Sequence, residues 1–192
     1  MRIIAGTKKG IKLRMVPGKH VRPTSDRVKE SIFQILGPYF DGGIALDLFA
    51  GSGQIGLEAL SRGMDKVIFV DHSLKSIQTI KHNIQLTKME AQTNVIKMNA
   101  LAACRLLAKK GQKMNYIFLD PPYNQKLVIP ILQEISKQGL LFPTGQAMVE
   151  CSNDEMIPEK VGKLIRKFQR SYGRTCVMIY QESILGGKEE PN

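Results

Sequence analysis

The stretch Ala45-Leu46-Asp47-Leu48-Phe49-Ala50-Gly51-Ser52-Gly53-Gln54-Ile55-Gly56 limits what this chain can fold into more than any other. A short apolar run with one acid near its end reads as a central strand of a parallel sheet. Gly51 and Gly53 permit a tight turn and a close approach of ligand to backbone. Gly56 permits a helix to pack tightly on the strand. The first amides of that helix have no partner within it and point into the crevice above the sheet.

Two ligand classes fit a turn of this kind. The spacing of Gly51, Gly53 and Gly56, with Asp71 twenty residues after Gly51, matches a dinucleotide fingerprint and admits a nicotinamide enzyme. Asp47 argues the other way. A carboxylate just before the turn repels a pyrophosphate and suits a cationic ligand. S-adenosylmethionine carries both a sulfonium and an ammonium. A glycine turn with no ligand is the plain alternative, and a second motif downstream speaks against it.

Charge is unevenly spread along the 192 residues, whose net charge is +11. Residues 1–29 hold nine Lys/Arg and one acid, and residues 160–174 hold six Lys/Arg and no acid. Two basic segments on a mildly acidic body point to a polyanion partner, nucleic acid above all. Cys104, Cys151 and Cys176 are scattered along the chain without metal spacing, and His20, His72 and His82 form no ligand cluster. Reduced core thiols, a cytoplasmic location, no metal and no membrane partner are the expectation.

Residues 1–22 alternate apolar and basic side chains around glycines and predict a small β-hairpin arm, with one face packed and one cationic. Arg2, Lys8, Lys9, Lys12 and Arg14 are its candidate phosphate contacts. Pro23-Thr24-Ser25-Asp26 starts a helix, with Thr24 or Ser25 as cap, and Val28, Ile32, Ile35 and Leu36 on its apolar face. Arg22, Thr24 and Arg27 cluster where the arm meets the domain of residues 23–183.

Further strands are predicted over 66–71, 94–98, 115–120 and 146–151, alternating with amphipathic helices. In the helix after Asp71, Leu74, Ile77, Ile80 or Lys81, and Ile84 trace the buried stripe. A closing pair, 163–168 and 175–180, makes an edge hairpin that carries Arg170. Alternation of strand and helix predicts a doubly wound α/β sheet. The polar tail 184–192 is expected to be disordered.

Strand 115–120 runs into Asp120-Pro121-Pro122-Tyr123. The lone pair of an exocyclic amino group on a base is delocalised into the ring. Methylating it requires acceptors that grip its protons and aim the lone pair. Asp120 supplies a carboxylate oxygen, the Pro121 carbonyl is held rigidly beside it, Pro122 stiffens the loop, and Tyr123 can stack on the base. A base within a helix would have to be flipped out.

Taken together, these segments resemble the bacterial family that methylates N2 of a guanine in 16S ribosomal RNA, within the class I S-adenosylmethionine-dependent methyltransferases. The most specific part is Arg2-Ile3-Ile4-Ala5-Gly6, Gly10, Leu13, Arg22-Pro23-Thr24 and Asp26-Arg27-Val28, joined by Asp47 to Gly56, Asp71 and Asp120 to Tyr123. The resemblance implies a Rossmann-like sheet of seven strands, mostly parallel, with the last antiparallel and helices on both faces. It implies the cosubstrate over Asp47, Phe49, Ala50, Gly51, Ser52 and Gly53. Its ribose would lie on Asp71 beside His72 and its adenine beside Asn99 and Ala100, with Thr24 at the rim. The implied partner is 16S rRNA, within a small-subunit or assembly particle, and nothing in the sequence demands more than a monomer. A DNA adenine-N6 methyltransferase and a non-methylating basic RNA-binding or nicotinamide-binding protein are the competing readings.

Overall fold

The computed structural model describes residues 1–18, 26–123 and 125–183. Helix α1 (Asp26–Leu36) leads into β1 (Ile44–Asp47), α2 (Gln54–Ser61), β2 (Lys66–Asp71), α3 (Leu74–Thr87) and β3 (Thr93–Lys97). Then come α4 (Ala100–Lys109), β4 (Met114–Leu119), α5 (Val128–Gln138), β5 (Leu141–Ser152), β6 (Lys160–Val161), β7 (Leu164–Tyr172) and β8 (Thr175–Glu182). They form one eight-stranded sheet in the order β3-β2-β1-β4-β5-β8-β7-β6. β1 to β5 are parallel, and β8 inserts antiparallel between β5 and β7.

The eighth strand is the one addition to the expected seven. It is the two-residue β6, paired with the start of β7. β5 also begins at Leu141 rather than Gln146, because the segment before the glycine pairs with Met114 across a register shift in β4.

Side chains alternate across the strands, and two cores result. Leu46, Ile68, Val70, Ile117, Leu119 and Val149 pack beneath α4 and α5. Ala45, Val67, Phe69, Phe118, Met148 and Val177 pack beneath α1, α2 and α3. Gly56 is what lets α2 close on β2: a Cβ there would lie 2.3 Å from Cε1 of Phe69. In α3 the stripe runs through Ile77, Ile80 and Ile84, whereas Leu74 is exposed, since it sits at the first turn beyond the reach of the core. Cys151 and Cys176 are far apart in sequence but opposite one another on β5 and β8, both buried and both free thiols.

The arm is a docked segment rather than a full hairpin. One bridge, Arg2 to Lys12, joins its limbs, with backbone bonds between Ile3 and Ile11 and between Met1 and Leu13. Ile3 and Leu13 enter the core, and the charged side chains face out as the alternation requires. Its backbone is gripped by side chains of the domain. The Glu58 carboxylate accepts from Ile4 N at 2.8 Å and Ala5 N at 3.0 Å. Lys29, fully buried on α1, donates to the Arg2 carbonyl at 2.5 Å and lies 3.5 Å from Glu58. Arg62 pairs with the same carboxylate at 2.8 Å.

The apolar face expected for α1 therefore has a lysine at its centre. Ile32, Phe33 and Leu36 share the buried side with Lys29, while Val28 and Ile35 sit at its margin. Arg22, Thr24 and Ser25 and the tail 184–192 lie outside the described residues.

Candidate active site

The glycine turn takes the form its sequence demands. Gly51 has φ +55° and Gly53 φ +81°, both in the left-handed region, and Gly53 caps α2. Asp47 is buried at the end of β1, and its Oδ2 accepts from Gly56 N at 3.2 Å. Burial raises its carboxyl to about 7, with the Asp71 charge adding to the effect and the Gly56 amide opposing it. Phe49 is half-buried against the core, Ala50 is buried with its N–H on Val70 O, and Ser52 is half-buried.

Asp71 closes the turn from β2. Its Oδ2 accepts from Gly51 N at 3.0 Å and its Oδ1 from Ser73 N at 2.8 Å. The cap of α3 is Ser73, so Asp71 is left to tie the turn and to face the crevice. His72 is exposed, with Nδ1 3.8 Å from Asp71 Oδ1. Asn99 caps α4, its Oδ1 accepting from Ala102 N at 2.8 Å, and Ala100 is buried behind it. The cap bond uses one lone pair of the Asn99 amide oxygen and leaves the second lone pair and the amide nitrogen for a ligand.

β4 lies beside β1 with Phe118 opposite Asp47, and Leu48 N donates to Phe118 O at 3.1 Å. Both strands run the same way, so Asp120–Tyr123 and Gly51–Gly53 leave the sheet at the same, carboxyl end of its central strands, side by side. Asp120 is half-buried, Pro121 is buried, and Pro122 and Tyr123 are exposed. Burial is the main force that lifts the Asp120 carboxyl well above the usual carboxylate range, and the charges of Glu150 and Asp47 push it the same way. Burial also raises the Tyr123 phenol, while the hydrogen bond between the Tyr123 and Thr175 hydroxyls (2.9 Å) opposes the shift.

Several residues of the site lie outside the sequence motifs. Glu150 is a buried acid near the end of β5, in the same kind of position as Asp47 on β1 and Asp71 on β2. Thr175 carries no such mark, and only the fold brings it to Tyr123. Asn83, fully buried, binds both backbone groups of Arg14 and donates to Ser52 O at 2.8 Å, so it joins the arm to the glycine turn.

The candidate phosphate contacts are dispersed. Lys9, Lys12, Arg14, Arg27 and Arg170 are exposed and Lys8 is half-buried. Arg2 is exposed but paired with Asp26 at 3.1 Å. Arg170 lies 5.5 Å from the Tyr172 ring, and the Tyr172 hydroxyl bonds Ser31 of α1. Two adjoining cavities of about 350 and 510 Å³ lie under the arm, away from the glycine turn, and share Ala5, Lys9, Tyr39 and Arg62. Among the described residues no group of His, Cys, Asp and Glu is placed to hold a metal ion, and no helix is long and apolar enough to cross a membrane.

Four acids thus gather at the carboxyl ends of neighbouring strands: Asp47 and Asp71 hold the glycine turn, and Asp120 and Glu150 lie beside it after β4 and on β5. A pyrophosphate fits such a field poorly, whereas a sulfonium and an ammonium relieve it. The residues present fit S-adenosylmethionine.

Known proteins carry the same design. YlbH of Bacillus subtilis (strain 168), whose name makes it a candidate rRNA methyltransferase, is 44% identical over 182 residues, covering 95% of this chain and 99% of its own. Ribosomal RNA small subunit methyltransferase D of Haemophilus influenzae (strain ATCC 51907 / DSM 11121 / KW20 / Rd) is 35% identical over 182 residues, 94% of this chain and 93% of its own. The solved structure of the candidate methyltransferase yhhF from Escherichia coli superposes with a TM-score of 0.80 at 32% identity, covering 95% of this chain and 97% of that one. The family model described as conserved hypothetical protein 95 matches residues 1–181, so with a class I methyltransferase fold and nearly full-length relatives the chain belongs to that family.

Proposed function

We propose that this protein transfers a methyl group from S-adenosylmethionine to the exocyclic N2 amino group of a guanine in 16S rRNA. The observation that carries the reading is a juxtaposition: the Asp120–Tyr123 loop and the glycine turn leave neighbouring parallel strands at the same, carboxyl end. Near full-length similarity to small-subunit rRNA methyltransferases supports ribosomal RNA as the substrate.

When bound, the cosubstrate supplies an electrophilic methyl on a sulfonium. The remaining work falls to side chains and backbone of the chain. Asp47 and Asp71 form an acidic floor that favours a cationic donor, and the open amides at the start of α2 receive its polar end. Asp71 has lone pairs beyond those given to Gly51 and Ser73, and these accept from ribose hydroxyls. Asp120 and the Pro121 carbonyl accept the two N–H groups of the base and aim the nitrogen lone pair. Tyr123, held at its hydroxyl by Thr175, offers its ring as a stacking surface. Exposed Lys9, Lys12 and Arg14 on the arm supply phosphate contacts that place the RNA without reading its sequence.

Mass mapping of 16S rRNA from cells with and without the protein tests the reading. One guanine should lose a single methyl on N2, and purified protein should restore it to small-subunit particles. Methylation of duplex DNA adenine, with rRNA unchanged, would defeat it.

A further inference from the structure

Glu150 reaches Asp120 through strand register. Leu119 of β4 lies opposite Val149 of β5, so the next residues, Asp120 and Glu150, are neighbours on adjacent strands, about 5 Å apart along the sheet. Leu119 and Val149 both point into the core beneath α4 and α5. Alternation then sends Asp120 and Glu150 together to the opposite face, the one that carries Phe118 and Met148. Ala45 lies on that face as well, and so does Asp47 two residues on. Among the described residues, the charged groups that act on Asp120 are Glu150 from β5 and Asp47 from β1. The Tyr123 hydroxyl, tied to Thr175 of β8, feels both Asp120 and Glu150.

We propose that Glu150 is a positioning residue for Asp120, and that the two carboxyl groups act as one pair. The pair holds a single proton in the resting protein, loses it when a cationic methyl donor binds, and regains one from the amino group. This rests on the proposed function, in which Asp120 grips that amino group. A half-buried and a buried carboxylate side by side resist double ionisation, so one proton stays between them. A positive charge nearby removes that resistance, and the doubly ionised pair is then a strong acceptor for the N–H bonds of the base.

Atoms and charge balance in this step. The N–CH3 bond forms from the nitrogen lone pair as the S–CH3 bond breaks, and the sulfur keeps that electron pair and becomes neutral. One N–H bond breaks, its electrons stay on nitrogen, and its proton passes to Asp120. The vanished positive charge is what restores the pair's hold on a proton. The net proton of the reaction leaves at donor binding.

Calorimetry in buffers of different ionisation enthalpy counts the protons released at neutral pH, in Asp47→Asn protein so that the proton of the Asp47 carboxyl stays out of the count. S-adenosylmethionine should release about one more proton than the neutral product S-adenosylhomocysteine. Glu150→Gln should abolish most of that excess and move the acid limb of the methyl-transfer rate down by about one pH unit or more. Glu150→Asp, which keeps the charge, should retain both. An excess that survives in Glu150→Gln overturns the proposal. Wild-type protein that releases equal numbers of protons with the two ligands overturns it without recourse to any variant. Near-normal turnover in Asp120→Asn would remove the underlying reading of Asp120, and the proton count is independent of that result.

Discussion

Asp120 and Asp47 show how one residue type is set to two tasks by its surroundings. Asp120 faces the loop that would hold the base. Replacing it by alanine removes an acceptor without touching the glycine turn. Methyl transfer should fall by about 10²-fold or more, while the affinity for S-adenosylhomocysteine changes by less than about threefold. Single-turnover assays on small-subunit particles and calorimetry read the two effects separately, and near-normal turnover would refute the role.

Asp47, raised to about 7 by burial and the Asp71 charge, sets a pH dependence whose sign can be worked out. Its folded value lies above the unfolded one, so its contribution to stability is fully present below about pH 4 and is lost as pH rises through about 7. Donor binding runs the other way. The carboxylate that favours a cation is populated only above that value, so the affinity for S-adenosylmethionine should climb with pH between about 5 and 7 and then level off. Asp47→Asn should flatten both trends. Urea titrations and calorimetry across that range check them, and an unchanged slope in the variant would rule out Asp47 as their source.

At the scale of elements, the packing of α2 is decided at two positions. Gly56 is where the helix meets β2, and a Cβ there meets both Phe69 and Val67. Gly56→Ala should destabilise the fold by about 1–3 kcal/mol, the usual cost of overpacking. Glu58, on the same helix, binds the arm, Lys29 of α1 and Arg62, and these three charged side chains have almost no contact with solvent. Burial pulls the Lys29 ammonium below its ordinary value, and Glu58 opposes that pull. Glu58→Ala would leave two buried cations without their anion and should cost about 3–5 kcal/mol. Denaturant midpoints measure both losses. A Glu58→Ala variant as stable as wild type would mean that the cluster does not anchor the arm. Neither position looks unusual in a helical pattern, yet each is fixed by what lies across from it.

Over the whole molecule, charge is divided between a basic periphery and an acidic crevice. The arm packs against α1, α2 and α3 through Ile3 and Leu13 and meets the glycine turn at Arg14, which Asn83 joins to Ser52. Reversing charge at Lys8, Lys9 and Arg14 together should weaken RNA binding. It should also flatten the slope of log affinity against log salt by about 0.7 for each phosphate that the arm no longer neutralises. Filter binding across a salt series gives the slope, and an unchanged value would show that the arm does not touch phosphate.

Local chemistry alone made the α/β alternation, the glycine turn and the Asp120–Tyr123 loop legible, because each follows from residues close in the chain. Periodicity separates strand from helix, left-handed backbone selects glycine, and prolines end a strand. Pairing between distant segments decided the rest: the partnership of Asp120 with Glu150, Tyr123 with Thr175, Cys151 with Cys176, and the burial of Lys29 against Glu58. Such pairs depend on strand register and on which helix covers which face. Those are settled only when the sheet closes and each buried charge must find its partner among residues dozens of positions away.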